Sequence, residues 1–133
     1  MAFKDADEVR HYIGGVFTRA FGDTELSDRL KSTGAVLKFD FTDPDAVLVV
    51  DMVGQSVGDG TDQPTPTAVM RMTSETGSAY WQGKVHLPLA MARGKIKVEG
   101  SVAGLLKLAP LGKKLFPSYV AALEADDRQD LIA

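Results

Sequence analysis

Residues 94–100 read Gly94-Lys95-Ile96-Lys97-Val98-Glu99-Gly100, a strict alternation of charged and β-branched residues between two glycines. That alternation predicts a half-buried strand with Ile96 and Val98 facing inward. The strand sits inside a nearly continuous apolar run from Trp81 to Leu123, which the rest of the chain has to receive. Ahead of it, residues 83–93 predict a short helical or turn-like piece presenting Val85, Leu89 and Met91. Behind it, Ser101 is placed to cap a helix bearing Val102, Leu105, Leu106, Leu108 and Ala109. Pro110 lacks the backbone donor that a helix interior needs, so an interruption is expected there. A second apolar stripe follows at Leu111, Leu115, Tyr119 and Leu123, flanked by Phe116 and Val120.

Towards the N-terminus, Asp5 and Glu8 have the spacing of a capping box, and Val9, Ile13, Val16, Phe17 and Ala20 recur at helical period up to Gly22. Gly14 and Gly15 inside this helix each cost roughly 1 kcal/mol relative to Ala, which points to a close neighbour or a local kink. Thr24 then caps a short helix with Leu26 and Leu30 inward, ending by Gly34. Two alternating stretches, 35–42 and 46–53, flank Asp43-Pro44-Asp45 and predict an antiparallel hairpin. Leu37, Phe39 and Phe41 share one face of the first strand, and Leu48, Val50 and Met52 one face of the second. A short third strand is expected near 55–57, weakened by its glycines. Residues 59–66, with Pro64 and Pro66, read as an extended crossover. The strand 67–73 follows with Ala68, Met70 and Met72 on one side, then a short helix at 75–82 bearing Tyr80 and Trp81. The tail 125–133 is expected to be loosely helical or disordered.

At 133 residues with 44% hydrophobic content the chain is long enough for one real core and too short for two. Fifteen Lys and Arg against eighteen Asp and Glu give a net charge of −3, and no basic stripe with interleaved aromatics is visible, which argues against nucleic acid. The absence of cysteine excludes thiolate chemistry and zinc–thiolate sites and suits a reducing compartment. Residues 1–8 lack the apolar core of a signal peptide, and no stretch approaches the ~18 apolar residues of a membrane span. A soluble, cytoplasmic protein is the expectation.

No catalytic or metal-binding constellation emerges. His11 and His86 stand alone and read as surface or capping residues. Asp126 and Asp127 read as solvated, and Asp5 with Asp7 as first-turn carboxylates facing a helix dipole. No phosphate-cradling glycine motif is present, so no nucleotide cofactor is implied. Acid–base catalysis needs convergent groups that the pattern does not offer. The chain therefore reads as a binding protein and not an enzyme.

The element order, with Gly83-Lys84 about ten residues before the 94–100 stretch and Leu105-Leu106-Lys107-Leu108 after it, resembles the sterol carrier protein type-two family. Phe41-Thr42-Asp43-Pro44-Asp45-Ala46 and Lys107-Leu108-Ala109-Pro110-Leu111 resemble its small single-domain bacterial members. The resemblance spans almost the whole chain. It implies an α+β fold with a five-stranded, mostly antiparallel sheet in order 3-2-1-4-5, helices covering one face, and an enclosed apolar tunnel. The tunnel would take a fatty acyl chain, acyl-CoA, phospholipid or sterol. Some members end in a peroxisomal tripeptide; this chain ends Leu131-Ile132-Ala133, so that address is not carried over.

On residues alone, the inward apolar side chains serve equally as ordinary core. Three of them, Met52, Met70 and Met72, are methionines on strand faces where β-branched residues are usual, and Met adapts to irregular apolar volume. The candidate ligand-facing residues are Phe39, Phe41, Met52, Met70, Met72, Trp81, Met91, Ile96, Leu105, Leu108, Phe116 and Tyr119. The first reading is non-enzymatic lipid binding and transfer without cofactor or metal. The alternative is an accessory or scaffold subunit of a lipid-metabolising enzyme, its groove filled by a partner segment. Lys107, Lys113 and Lys114, with Leu111 and Phe116, would meet an anionic membrane surface. Val36, Val47, Val49 and Val69 point to the other sheet face and are expected to meet the N-terminal helices or a second copy in a homodimer.

Overall fold

A computed structural model describes residues 3–132. Met1 and Ala2, which begin the stretch read for a leader, and Ala133, the end of the tail, lie outside the described residues.

The middle of the sheet is β1 (Val36–Thr42), where alternation has a direct consequence: Leu37, Phe39 and Phe41 are all buried on one face. β2 (Ala46–Asp51) returns antiparallel, setting Phe39 opposite Leu48 and Leu37 opposite Val50. β3 (Ser56–Gly58) extends that edge, with Val57 opposite Val50. After the crossover, β4 (Ala68–Thr73) lies parallel to β1 on its other side, with Phe39 beside Met70 and Phe41 beside Met72. β5 (Lys97–Gly100) closes the far edge antiparallel to β4. The order is 3-2-1-4-5 with one parallel pair, as the resemblance implied.

The helices α1 (Ala6–Phe21) and α2 (Thr24–Ser32) come first. Asp5 caps α1, accepting from the Glu8 N–H at 3.0 Å, while the Glu8 carboxylate reaches back one residue further than a capping box requires, to the Lys4 N–H. α1 packs its stripe on β2 and β3. Gly14 is explained by that contact and not by a kink. A Cβ there would lie 3.0 Å from Val57 Cγ1 and 3.2 Å from Leu48 Cδ1. The cap of α2 is Asp23, one residue before the expected Thr24: its carboxylate accepts from Leu26 N–H at 3.2 Å.

The C-terminal half departs from its sequence reading in three places. Only Lys97–Gly100 pairs with β4. The N–H groups of Lys95 and Ile96 both bond the Ala90 carbonyl, at 2.9 and 3.3 Å, so Gly94 to Ile96 belong to the exit of the preceding helix. Ile96 is fully buried there, and Val98 is half-buried. That preceding helix, α4 (Leu87–Ala92), follows α3 (Ser74–Trp81) and is capped by His86 Nδ1. Its start at Leu87 sets the phase, so Leu87 and Ala90 face in while Leu89 is 46% exposed and Val85 and Met91 are half-buried.

The third departure is Pro110, which does not interrupt its helix. α5 runs from Val102 to Lys113 straight through it. The carbonyl that Pro110 leaves without an intrahelical donor belongs to Leu106, a residue on the exposed side of the helix. The break falls at Lys114 and Leu115, just before Pro117 in α6 (Phe116–Ala125), whose Tyr119 and Leu123 join Leu115 in the core.

Within the described residues the tail, up to Ile132, is docked rather than loose. Arg128 donates to Glu8 at 2.8 Å and to Asp130 at 3.0 Å, with its guanidinium 5.5 Å from the centre of the Tyr12 ring. Tyr12 in turn donates to Asp126 at 2.9 Å, so Asp126 is not merely solvated. Leu131 is buried in a one-turn 3₁₀ helix (Gln129–Leu131), and its carbonyl accepts from Gln82 at 2.9 Å.

On the opposite sheet face, Val36 and Val49 are buried within the single chain, while Val47 and Val69 are half-buried. The cover over Val49 is intramolecular. It comes from the crossover: Gln63 donates to the Val49 carbonyl at 3.0 Å and accepts from Gly60 N–H at 2.8 Å.

Two outcomes follow from this packing. Gly14→Val is expected to destabilise the fold by about 1–3 kcal/mol in chemical denaturation, through overpacking against Val57 and Leu48; an unchanged midpoint would mean that the helix and sheet are not in that contact. The second concerns acid. Hydrogen bonds from Arg128 hold the Glu8 and Asp130 carboxyls below their ordinary values. A carboxyl harder to protonate in the folded state adds stability above its unfolded pKa and withdraws it as pH falls through the lowered folded value. Amide protection at Arg128 and Leu131 should therefore hold at neutral pH and fall on acidification, and Glu8→Gln should flatten part of that dependence. Protection insensitive to both changes would contradict the docking.

Candidate functional site

An apolar cavity lies between the sheet and α5. Its floor is Leu37 and Phe39 from β1, Met52 just beyond β2 and Met70 from β4; Phe17 of α1 and Leu30 of α2 form one wall. Tyr80 and Trp81 of α3 form the other, and the roof is Leu105, Leu108, Ala109 and Gly112 of α5 with Leu115. These residues converge because each comes from the buried stripe of its own element and because β1 and β4 are neighbours.

The cavity holds about 40 Å³, far below the ~300 Å³ at which pockets for small-molecule ligands begin. Its walls are thus almost in contact. A chain molecule enters only when one of them moves, and the roof is the wall least held. Of the twelve residues of α5 only Leu105 and Leu108 are buried, and its main helical neighbour is α2. The wall at Trp81 is firmer. Trp81 meets Phe17 and Phe116 edge-on at 5.2 and 5.9 Å, and Tyr80 meets Phe116 at 5.5 Å. Behind it, Tyr119 and Ser78 share a buried hydrogen bond of 2.7 Å. Burial pushes the Tyr119 hydroxyl up to about 12, and the Tyr80 hydroxyl also upward.

Two wider depressions adjoin the cavity at opposite ends of α5. One, about 380 Å³, shares Leu37 and Leu105 with it and is edged by Thr33, Thr67, Ser101 and Lys107. The other, about 520 Å³, shares Tyr80 and Ala109 and is edged by Lys84, His86, Lys113 and Phe116. The three volumes lie in sequence beneath a helix that is about 18 Å long.

Of the residues singled out in the sequence, Phe39, Met52, Met70, Trp81, Leu105 and Leu108 line the cavity, and Phe116 lines the wider depression. Phe41, Met72, Ile96 and Tyr119 are buried in the core without lining it, and Met91 is half-buried beside the core. Sequence reasoning passed over Phe17, Leu30, Leu37, Tyr80, Ala109, Gly112 and Leu115. Five of these, Phe17, Leu30, Leu37, Ala109 and Leu115, already stood on apolar stripes; nothing local marked Gly112.

Polar chemistry is sparse. Among the described residues, no group of three or more His, Asp or Glu could hold a metal ion, and no helix is long and apolar enough to cross a membrane. His86 is a helix cap and His11 packs edge-on to Tyr12.

Comparison with known proteins gives one family match: the model described as the SCP-2 sterol transfer family covers residues 17–113. The chain is similar in structure to the sterol carrier protein domain 2 of Helicoverpa armigera, with TM-score 0.68 and 19% identity over 82% of this chain and 88% of that one. It is similar to sterol carrier protein 2 from Aedes aegypti in complex with palmitate, with TM-score 0.54 and 24% identity over 84% and 96%. A third likeness is to UbiJ-SCP2, a ubiquinone synthesis protein, with TM-score 0.60 and 14% identity over 86% and 95%. These likenesses concern the fold. No curated protein matches the chain.

The buried Tyr119–Ser78 pair offers a direct check on this wall. Spectrophotometric titration should show one tyrosine ionising near pH 12. Ser78→Ala should cost about 1–3 kcal/mol by leaving the Tyr119 hydroxyl unpaired; full stability in that variant would mean that water already reaches the hydroxyl.

Proposed function

The chain belongs to the SCP-2 sterol transfer family, and on that premise we propose that it binds a lipid with a fatty acyl or sterol-like body beneath α5 and passes it on without chemical change. The observation that carries this reading is the apolar cavity between β1, β4 and α5, with a wider depression at each end. The mechanism is burial. At ~25 cal/mol per Å², enclosing roughly 300 Å² of alkyl surface contributes about 7 kcal/mol before ordering costs. To accommodate it, α5 lifts from the sheet, and Met52 and Met70 adjust their rotamers to the chain. No bond is made or broken, so no catalytic group is required. The palmitate held by the Aedes aegypti relative is the kind of body this route would take.

Exchange would take place at an anionic bilayer in the cytoplasm. Leu89 and Leu106, 46% and 44% exposed, flank lysines 84, 107 and 113 on the α4–α5 side; Leu111 and Phe116, the apolar residues first read for that role, are half-buried.

A second reading is an accessory subunit of a lipid-metabolising enzyme, in which a partner segment occupies the depression beside Leu106. The likeness to a ubiquinone synthesis protein favours it. Organic extraction of the purified protein followed by native mass spectrometry separates the two: recovered lipid at near-stoichiometric level supports the first. Leu108→Trp should fill the cavity and abolish binding of a fluorescent fatty acid, while Ala103→Trp, at an exposed position of α5 that lines none of these volumes, should leave it. Undiminished binding by a folded Leu108→Trp variant would place the site elsewhere.

A further inference from the structure

The charges of this chain are segregated along its sequence, which the overall balance of −3 conceals. Residues 76–123 contain seven of the fifteen Lys and Arg but only one of the eighteen Asp and Glu. That acid, Glu99, is held by Arg71 of β4. Among the described residues, none of the seven cations takes part in an ion pair. A concentration of unpaired positive charge stabilises an anion wherever the surface also gives it somewhere to sit.

The depressions show where that is. The one that shares no residue with the cavity, about 500 Å³ beside β1 and β2, sets Arg10 against Asp40, Asp45 and Asp59. The two that adjoin the cavity contain no carboxylate in their lining. They differ from each other: the end near α2 carries Lys107 alone, whereas the end between α4, α5 and α6 carries Lys84 and Lys113 over an apolar floor. His86 adds a third donor there. Its Nδ1 accepts from the Leu89 N–H at 3.3 Å, so the proton of the neutral ring sits on Nε2, which remains able to donate.

We infer that the depression edged by Lys84, His86 and Lys113 is the headgroup end of the lipid route and takes the carboxylate or phosphate of a single-chain anionic amphiphile, whose tail runs beneath α5 towards Leu37. This rests on the lipid-binding reading and adds to it the orientation of the ligand and the residues that meet its head. A neutral sterol would leave the lysines unused, while an anionic head gains charge-assisted hydrogen bonds as its tail gains burial. Both lysines are exposed stems at the rim, able to close over a head after the tail has entered.

The test measures dissociation constants of the full chain for a long-chain fatty acid, the fatty alcohol of the same length, a lysophosphatidate of the same length, and inorganic phosphate. Wild type should favour the acid and the lysophosphatidate over the alcohol. Lys84→Glu/Lys113→Glu should weaken both anions about ten-fold or more, on the scale of two reversed surface charge contacts, and leave the alcohol unchanged. Lys95→Glu/Lys97→Glu, with the same change in net charge, should leave all three as they were. The assignment is overturned if the two double variants act alike, if acid and alcohol weaken together, or if Lys107→Glu alone carries the loss. Inorganic phosphate binding as tightly as the amphiphiles would make this a free-anion site and overturn it too. Failure of wild type to bind any amphiphile would remove the lipid reading itself, an outcome distinct from equal binding of acid and alcohol.

Discussion

The sheet face presented by Leu37, Phe39, Met52 and Met70 has to be kept from water, and two unequal devices do it. Over β2 and β3 the cover is α1, a sixteen-residue helix seated so closely that a Cβ at position 14 would press on Val57 and Leu48. Over β1 and β4 it is α5, which has two buried leucines to hold it. Packing density falls where the two covers meet, and that seam is the cavity. The parallel pairing of β1 with β4 is what makes the exposed half so wide, because it places Phe39 beside Met70 on one continuous surface.

The remaining structure braces the firm half and leaves the other half free. Arg128 ties the tail to Glu8 and lies over Tyr12, so the last turn of chain clamps α1. Gln82 bonds both Ser78 and Leu131, linking α3 to the same clamp. The Trp81 aromatic cluster continues this rigid side up to the cavity wall. Among the described residues no comparable side-chain bond fastens α5 to another element; its single proline is exposed and its main helical neighbour is α2. Local stability is uneven in the manner expected where one element has to open while the fold stays intact.

Electrostatics follows the same division. The carboxylates gather on the N-terminal half, where they cap helices and receive Arg10, Arg29 and Arg128. The lysines from Lys84 to Lys114 lie ahead of α4 and along β5 and α5, where the one acid, Glu99, is taken by Arg71. Pairing on one side contributes to the fold, and the unpaired charge on the other is available to something outside the chain.

Period-two alternation made β1, β2 and β4 legible from the sequence alone, and the apolar stripes of α1 and α6 likewise, because side-chain direction in a strand or helix is a local property. Six of the residues lining the cavity could be named for the same reason. The errors also share a cause. Whether Gly94 to Ile96 prolong a strand or finish a helix was decided by the Ala90 carbonyl, and whether Pro110 ends α5 by which side of the helix faces water. The tail looked loose because its partners, Glu8 and Tyr12, lie some 120 residues away in sequence. The sequence by itself determined which side chains must be buried and in what elements. Tertiary structure alone decided which buried side chains leave space between them, since a cavity is a shortfall in packing between elements and no single element carries a record of it.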